Sequence, residues 1–80
     1  MYRDKAIAKQ ILLWMEANTP AFGSQEIVIR EGALGANADL PVFSYHMEIL
    51  VSGGYLTKVK SEVSGFYQLT WKGHDLIPTL

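Results

Sequence analysis

The sequence contains no cysteine, so it has no disulfide framework, zinc–thiolate site or thiol nucleophile. It has no run approaching the roughly 18 apolar residues that a membrane span requires. Its first ten residues, MYRDKAIAKQ, lack the apolar core of a signal peptide. We therefore expect a soluble, cytoplasmic protein with no membrane partner.

An excess of basic residues is also missing, since the formal net charge of the chain is -1. Dedicated nucleic-acid binders usually carry such an excess, because neutralising phosphates supplies much of their affinity. Any nucleic-acid site must therefore depend on a local patch. The 80 residues are 49% apolar and 19% charged, which is typical of a single small globular domain over residues 1–80.

Residues 4–18 are predicted to form a helix. Ile7, Ile11, Trp14 and Met15 recur at helical spacing and form one apolar stripe. Asp4 lies in the first turn, where a negative charge suits the helix dipole. The helix is expected to end before Pro20, because proline disfavours the helical region for the preceding residue.

Residues 24–38 allow two interpretations. The short, β-branched segment EIVIR (26–30) favours a strand, whereas Ser24 followed by Glu26 and Ile27 is compatible with the start of a short helix. We prefer the strand. Gly32 and Gly35 indicate that any helix between residues 31 and 37 is short and weak.

A second clear helix is predicted to follow Asp39, which is a good N-cap residue. Phe43, Met47 and Leu50 mark its buried face at helical spacing. The pair Gly53-Gly54 should end it, because glycine adopts the left-handed C-cap conformation without steric cost.

Residues 55–60 and 66–71 are strand-like and are separated by the polar turn SEVSG (61–65), a β-hairpin pattern. On the second strand Tyr67, Leu69 and Trp71 share one face, with Leu69 as the expected core residue. Thr70 is expected to cap a short terminal helix.

This terminal segment also contains Gly73, which should allow the short helix to lie close to a neighbouring helix. His74 is expected near the first helix.

The order of these elements predicts an α+β fold of the winged helix-turn-helix type. In it, helices pack on a small antiparallel sheet of two or three strands, and the third strand is expected near Ile27. The second helix then takes the position of the recognition helix, and the hairpin takes that of the wing.

Two stretches resemble a known family. YHMEIL (45–50) followed by GYL (54–56) resembles the recognition-helix segment of many winged-helix regulators, and LTWKGHD (69–75) resembles the close of their wing. Together they are similar to a family of small winged-helix proteins of unknown function, common in phages, prophages and low-GC Gram-positive bacteria. The chain departs from that pattern in its Gly/Ala-rich residues 33–39 and in its short terminal helix. The resemblance implies a fold, and a function only by analogy.

Catalytic and metal chemistry finds little support in the sequence. His46, His74 and Asp75 show no metal-ligand spacing. No serine lies in a nucleophile elbow, and no glycine pattern fits a phosphate-binding loop. We expect no enzyme activity, no cofactor and no metal, and we expect His46 to pack between the recognition helix and the sheet.

The first functional hypothesis is double-stranded DNA binding and transcription regulation of the phage or prophage type. Ser44 and Tyr45 can contact phosphates or bases, and Glu48 can accept a hydrogen bond from cytosine. Against it, residues 39–53 contain no lysine or arginine but include Asp39 and Glu48. The candidate contact residues are Val42, Ser44, Tyr45 and Glu48 on the helix, and Lys58, Lys60, Ser61 and Tyr67 on the wing, with phosphate contacts from Arg3, Lys5 and Lys9.

The second hypothesis is a protein–protein interaction or homodimerisation module. The chain has many large aromatic side chains for so small a core, and exposed aromatics favour interfaces. A positive stripe along the second helix would favour DNA, whereas a neutral, aromatic surface would favour a protein partner. The aromatic residues concerned are Tyr2, Trp14, Phe22, Tyr55, Tyr67 and Trp71.

Overall fold

The computed structural model describes residues 1–59 and 65–80. Over these residues the architecture is α+β, with four α-helices, a small three-stranded antiparallel sheet and a terminal 3₁₀ turn, an arrangement compatible with a winged-helix-like layout. In chain order the elements are α1 (Lys5–Asn18), β1 (Ser24–Gln25), α2 (Glu26–Ala33), α3 (Leu40–Ser52), β2 (Leu56–Lys58), β3 (Phe66–Leu69), α4 (Trp71–Leu76) and the 3₁₀ turn (Ile77–Thr79).

Helix α1 forms the centre of the core, as its apolar stripe predicts. Asp4 is the N-cap residue, and its carboxylate accepts a hydrogen bond from the backbone N–H of Ala6. Ile11, Leu12 and Met15 are completely or almost completely buried. None of the helices in residues 1–59 and 65–80 is long and apolar enough to cross a membrane.

The preferred strand over residues 26–30 is wrong, because these residues open helix α2. Within residues 24–38, only Ser24–Gln25 forms a strand, so the third strand of the sheet ends two residues before Ile27. The helix buries Ile29 completely and leaves Ile27 exposed, whereas a strand would place both isoleucines on one face. Packing of α2 against α1 therefore overrides the β propensity of this segment.

Helix α3 follows its sequence prediction closely. The carboxylate of Asp39 accepts a hydrogen bond from the backbone N–H of Val42 at 3.1 Å. Phe43, Met47 and Leu50 are buried on one face. The chain then turns through Gly54, whose φ of +83° lies in the region that glycine adopts without strain.

The sheet has the strand order β1-β3-β2, with both pairs antiparallel. Leu56 lies opposite Leu69 and Lys58 opposite Tyr67, so the two predicted strands pair as a hairpin. Residue 60 of the predicted first strand and residues 61–64 of the predicted turn lie outside the described residues. Tyr67 also lies opposite Ser24, because β3 is the central strand.

Two details of the predicted second strand are wrong. Tyr67, rather than Leu69, is its buried residue, because the centre of β3 is flanked on both sides and joins the main core. Leu69, at the end of β3, is only partly buried. Trp71 does not belong to the strand at all: it begins α4 and is 87% exposed.

Helix α4 is fixed by contacts of Thr70 and Gly73, both within the helix and with the segment before β2. The Thr70 hydroxyl accepts a hydrogen bond from the Gly73 N–H at 3.0 Å and donates one to the Gly54 carbonyl at 2.6 Å, which confirms Thr70 as the cap. Gly73 is buried against the backbone of Tyr55, where a Cβ atom would overlap the carbonyl oxygen. Its close neighbour is therefore the start of the hairpin and not a helix.

Candidate interaction surfaces

Four of the eight predicted DNA-contact residues line one groove between α3 and the sheet. Ser44 and Glu48 come from α3, and Lys58 and Tyr67 come from β2 and β3. The groove has a volume of about 410 Å³. The Lys58 ammonium lies 5.7 Å from the centre of the Tyr67 ring, within the range of a cation–π contact. Tyr67 itself is only 6% exposed, so it mainly supports Lys58 and the core.

The other four predicted residues lie elsewhere. Val42 and Tyr45 are half-buried on α3 outside this groove, and the Tyr45 ring meets the ring of His46 edge-on at 5.6 Å. Lys60 and Ser61 lie outside the described residues. The structure thus places half of the predicted DNA-contact residues in one groove, and it places Val42 and Tyr45 outside that groove.

The groove is not electropositive. Lys58 is its one base among the described residues, and it shares the groove with two acids, Glu26 and Glu48. No lysine or arginine occurs on α3. On the other flank of α3, Arg3 and Lys5 border a second groove of about 460 Å³ together with Ile49 and Gly53. Positive charge therefore lies on both sides of α3 but not on the helix itself.

His46 is a structural residue. Its ring is completely buried, Nε2 accepts a hydrogen bond from the Asp4 N–H at 2.8 Å, and Nδ1 donates one to the Val42 carbonyl at 2.7 Å. It bridges α3 to the start of α1, so the predicted position between α3 and the sheet is wrong. Because both ring nitrogens are engaged, neither has a free lone pair for a metal.

The second histidine sits in a different environment. His74 Nδ1 is 2.8 Å from the Glu16 carboxylate, on the surface between α4 and α1, which confirms that His74 lies near the first helix. Within the described ranges there is no group of three or more metal-ligating side chains.

An apolar surface around α2 was not anticipated from the sequence. We call Phe22, Ile27, Val28 and Leu40 the α2 patch; their exposed fractions are 70%, 53%, 46% and 54%. Two shallow grooves meet at Gln25 within this surface. One is lined by Trp14, Phe22, Val28 and Phe66, and the other by Glu26, Ile27, Arg30 and Leu40.

The sequence contains a signal for this patch once residues 26–30 are read as a helix. The run IVI occupies three consecutive positions, and successive helical residues are about 100° apart. A helix that buries Ile29 must then expose Ile27 and turn Val28 to its side. The strand interpretation concealed this, because it placed both isoleucines in the core.

The chain was compared with protein-family models, with curated proteins and with solved structures, and none of them matches it. The resemblance to the winged-helix family of phages therefore stays a prediction.

Proposed function

We propose that this chain is a non-enzymatic winged-helix module that binds another protein through the α2 patch. The observation that carries the proposal is the clustering of four large, exposed apolar side chains around one short helix. Contiguous apolar surface of this kind on a small protein marks an interaction site more often than single scattered residues do. Burying it against a partner removes the patch from water, which is the main driving force of association.

The character of α3 supports the same proposal. In DNA-binding winged helices this helix enters the major groove, where it meets the negative potential of the phosphates. Here its exposed side carries Glu48 and no base. A phosphate backbone would therefore repel α3, whereas a protein partner would not.

DNA binding is the second candidate, and it rests on the bases that flank α3. Lys58 lies on the sheet side, and Arg3 and Lys5 lie on the other side. Such flanking bases are suited to phosphate contacts on either side of a helix in the major groove. Ser44 and Glu48 would then face the base edges, with Glu48 accepting from a cytosine amino group.

Fluorescence anisotropy with a random-sequence duplex separates the two proposals. The chain is titrated at low ionic strength and at about 0.2 M salt, where phosphate-driven binding weakens strongly. Protein binding predicts no duplex affinity in either buffer. DNA binding predicts salt-sensitive affinity that Lys58→Ala lowers and Ile27→Asp, on the α2 patch, leaves unchanged. Salt-sensitive duplex binding with this response to the two substitutions would overturn the protein-binding proposal.

Site-specific photo-crosslinking tests the surface itself. A benzophenone-bearing amino acid is placed at position 22, in the α2 patch, and in a control at position 71, which is equally aromatic and 87% exposed but begins α4. After irradiation in extract of the expressing cells, defined protein adducts are expected from position 22 only. Equal yields from both positions would contradict a docking role for the patch.

A further inference from the structure

We infer that the partner of the α2 patch is a second copy of this chain, in a two-fold symmetric dimer with the two α2 helices antiparallel. The inference rests on the proposed function, because it names the occupant of the same surface. Three features of the described residues support it: the area of the patch, its shape and the charges at the two ends of α2.

The area of the patch fits one standard interface. The exposed parts of its four apolar side chains amount to roughly 400 Å² per copy. A stable protein–protein interface buries about 800 Å² per partner, a little over half of it apolar. The patch thus supplies about the apolar core of one such interface, and the polar residues around it would form the rim.

The shape of the patch suits contact with itself. In a two-fold dimer the same surface is used by both copies, so each protrusion must meet a depression of the same surface. Here a groove between Trp14, Phe22 and Val28 lies beside a second groove that contains Ile27 and Leu40, and the two meet at Gln25. A two-fold axis that passes beside Ile27 and Val28, midway along α2 between Glu26 and Arg30, brings the apolar side chains of one copy to the grooves of the other.

The charges on α2 select the antiparallel orientation. Glu26 lies in the first turn and Arg30 in the last turn, and both line the groove that contains Ile27. They are four residues apart, a spacing at which a glutamate and an arginine usually interact along one helix.

Yet no salt bridge joins these two residues in the described part of the chain. Arg30 instead donates one hydrogen bond to the Ala36 carbonyl at 3.2 Å, and its further guanidinium donors have no partner among the described residues. Antiparallel helices would place Glu26 of each copy beside Arg30 of the other, whereas parallel helices would place like charges together.

The experiment is sedimentation velocity of the purified chain between about 10 µM and 1 mM, with charge-swapped variants. Wild type is expected to approach twice the 8.9 kDa of one chain as the concentration rises. Glu26→Arg and Arg30→Glu, each alone, juxtapose like charges in a symmetric dimer and should raise the dissociation constant at least ten-fold.

An equimolar mixture of these two variants restores opposite charges at both contacts, and so does the double variant that carries both substitutions. Both samples are expected to dimerise again. Ile27→Asp should abolish the dimer while keeping the fold, because an acidic residue suits the first turn of a helix. Trp71→Ser, outside the patch, should leave the dissociation constant unchanged, and circular dichroism checks that each variant is folded.

The outcomes separate this inference from the proposed function. A chain that stays monomeric at 1 mM, or a dimer that tolerates Ile27→Asp, overturns the inference. So does a folded mixture of the charge variants that fails to dimerise. If position 22 then crosslinks to a protein of another mass, and Ile27→Asp removes that adduct while position 71 never forms it, the proposed function stands with a different partner. If it crosslinks to nothing, both proposals fail.

Discussion

The backbone N–H of Asp4 donates a hydrogen bond to Nε2 of His46, 2.8 Å away, and so joins two helices across 42 positions of the sequence. The other ring nitrogen donates to the Val42 carbonyl. This buried imidazole fixes the start of α1 against the middle of α3. An apolar side chain of similar size cannot replace the imidazole, because it offers no acceptor to the Asp4 N–H.

His46→Leu is therefore expected to lower the free energy of unfolding by about 1–3 kcal/mol, because the Asp4 N–H loses its partner. Urea unfolding followed by circular dichroism measures the change. His74→Leu is the matched control. His74 is half exposed and its contact with Glu16 lies at the surface, so its loss should cost less than about 1 kcal/mol. Equal losses for the two histidines would contradict the bridging role of His46.

The helical state of residues 26–33 is tested by the two isoleucines of α2. Ile29→Ala should cost about 2–5 kcal/mol, because it opens a cavity in the core. Ile27→Ala in the monomer should change stability by only about 0.5 kcal/mol, since Ile27 is on the surface.

A strand would bury Ile27 and Ile29 together, and the two substitutions would then cost similar amounts. Thermal unfolding of both variants at low protein concentration distinguishes the alternatives. Low concentration matters because Ile27 also belongs to the proposed dimer surface.

The capping role of Thr70 predicts that Thr70→Ala costs about 1–2 kcal/mol. The substitution removes the acceptor for the Gly73 N–H and the donor to the Gly54 carbonyl at once. Thr70→Ser keeps the hydroxyl and should recover most of the loss in a urea titration. If serine is as destabilising as alanine, the hydroxyl is not what stabilises the junction.

Gly73 offers a prediction in which two effects have opposite signs. In a free helix, Gly→Ala is stabilising by about 1 kcal/mol. At Gly73 the added Cβ would overlap the carbonyl oxygen of Tyr55, so a net loss of about 1–3 kcal/mol is expected from the forced backbone shift.

Asp75→Ala, at an exposed position of the same helix, is the control and should be close to neutral. The melting temperatures of the two variants provide the comparison. A more stable Gly73→Ala variant would mean that α4 does not approach the hairpin as closely as the structure shows.

Local sequence patterns predicted the elements with strong periodicity and clear ends. The stripe of α1, the Asp39 cap of α3 and the Thr70 cap of α4 depend on residues close together in the chain. The two strands of the hairpin were likewise predicted, since their signals are local. The α+β class followed from the order of these elements.

The candidate interaction surfaces could be predicted only in part from local sequence patterns. Ser44, Glu48, Lys58 and Tyr67 were predicted on two separate elements, and the structure places them in one groove. That Tyr67 is buried there depends on β1, which pairs with the far side of β3. The α2 patch was missed because EIVIR has β-branched residues that satisfy a strand pattern equally well.

The sequence by itself determined where α3 and α4 begin, because a cap residue and the N–H group it satisfies lie within a few positions of each other. It also determined that α3 carries no base. Only the tertiary structure decided that residues 26–33 form a helix, since burial of Ile29 beneath α1 outweighs a modest local preference. The same packing decided that Ile27 and Val28 face solvent, and that His46 meets the start of α1, because such contacts join residues that the chain order keeps apart.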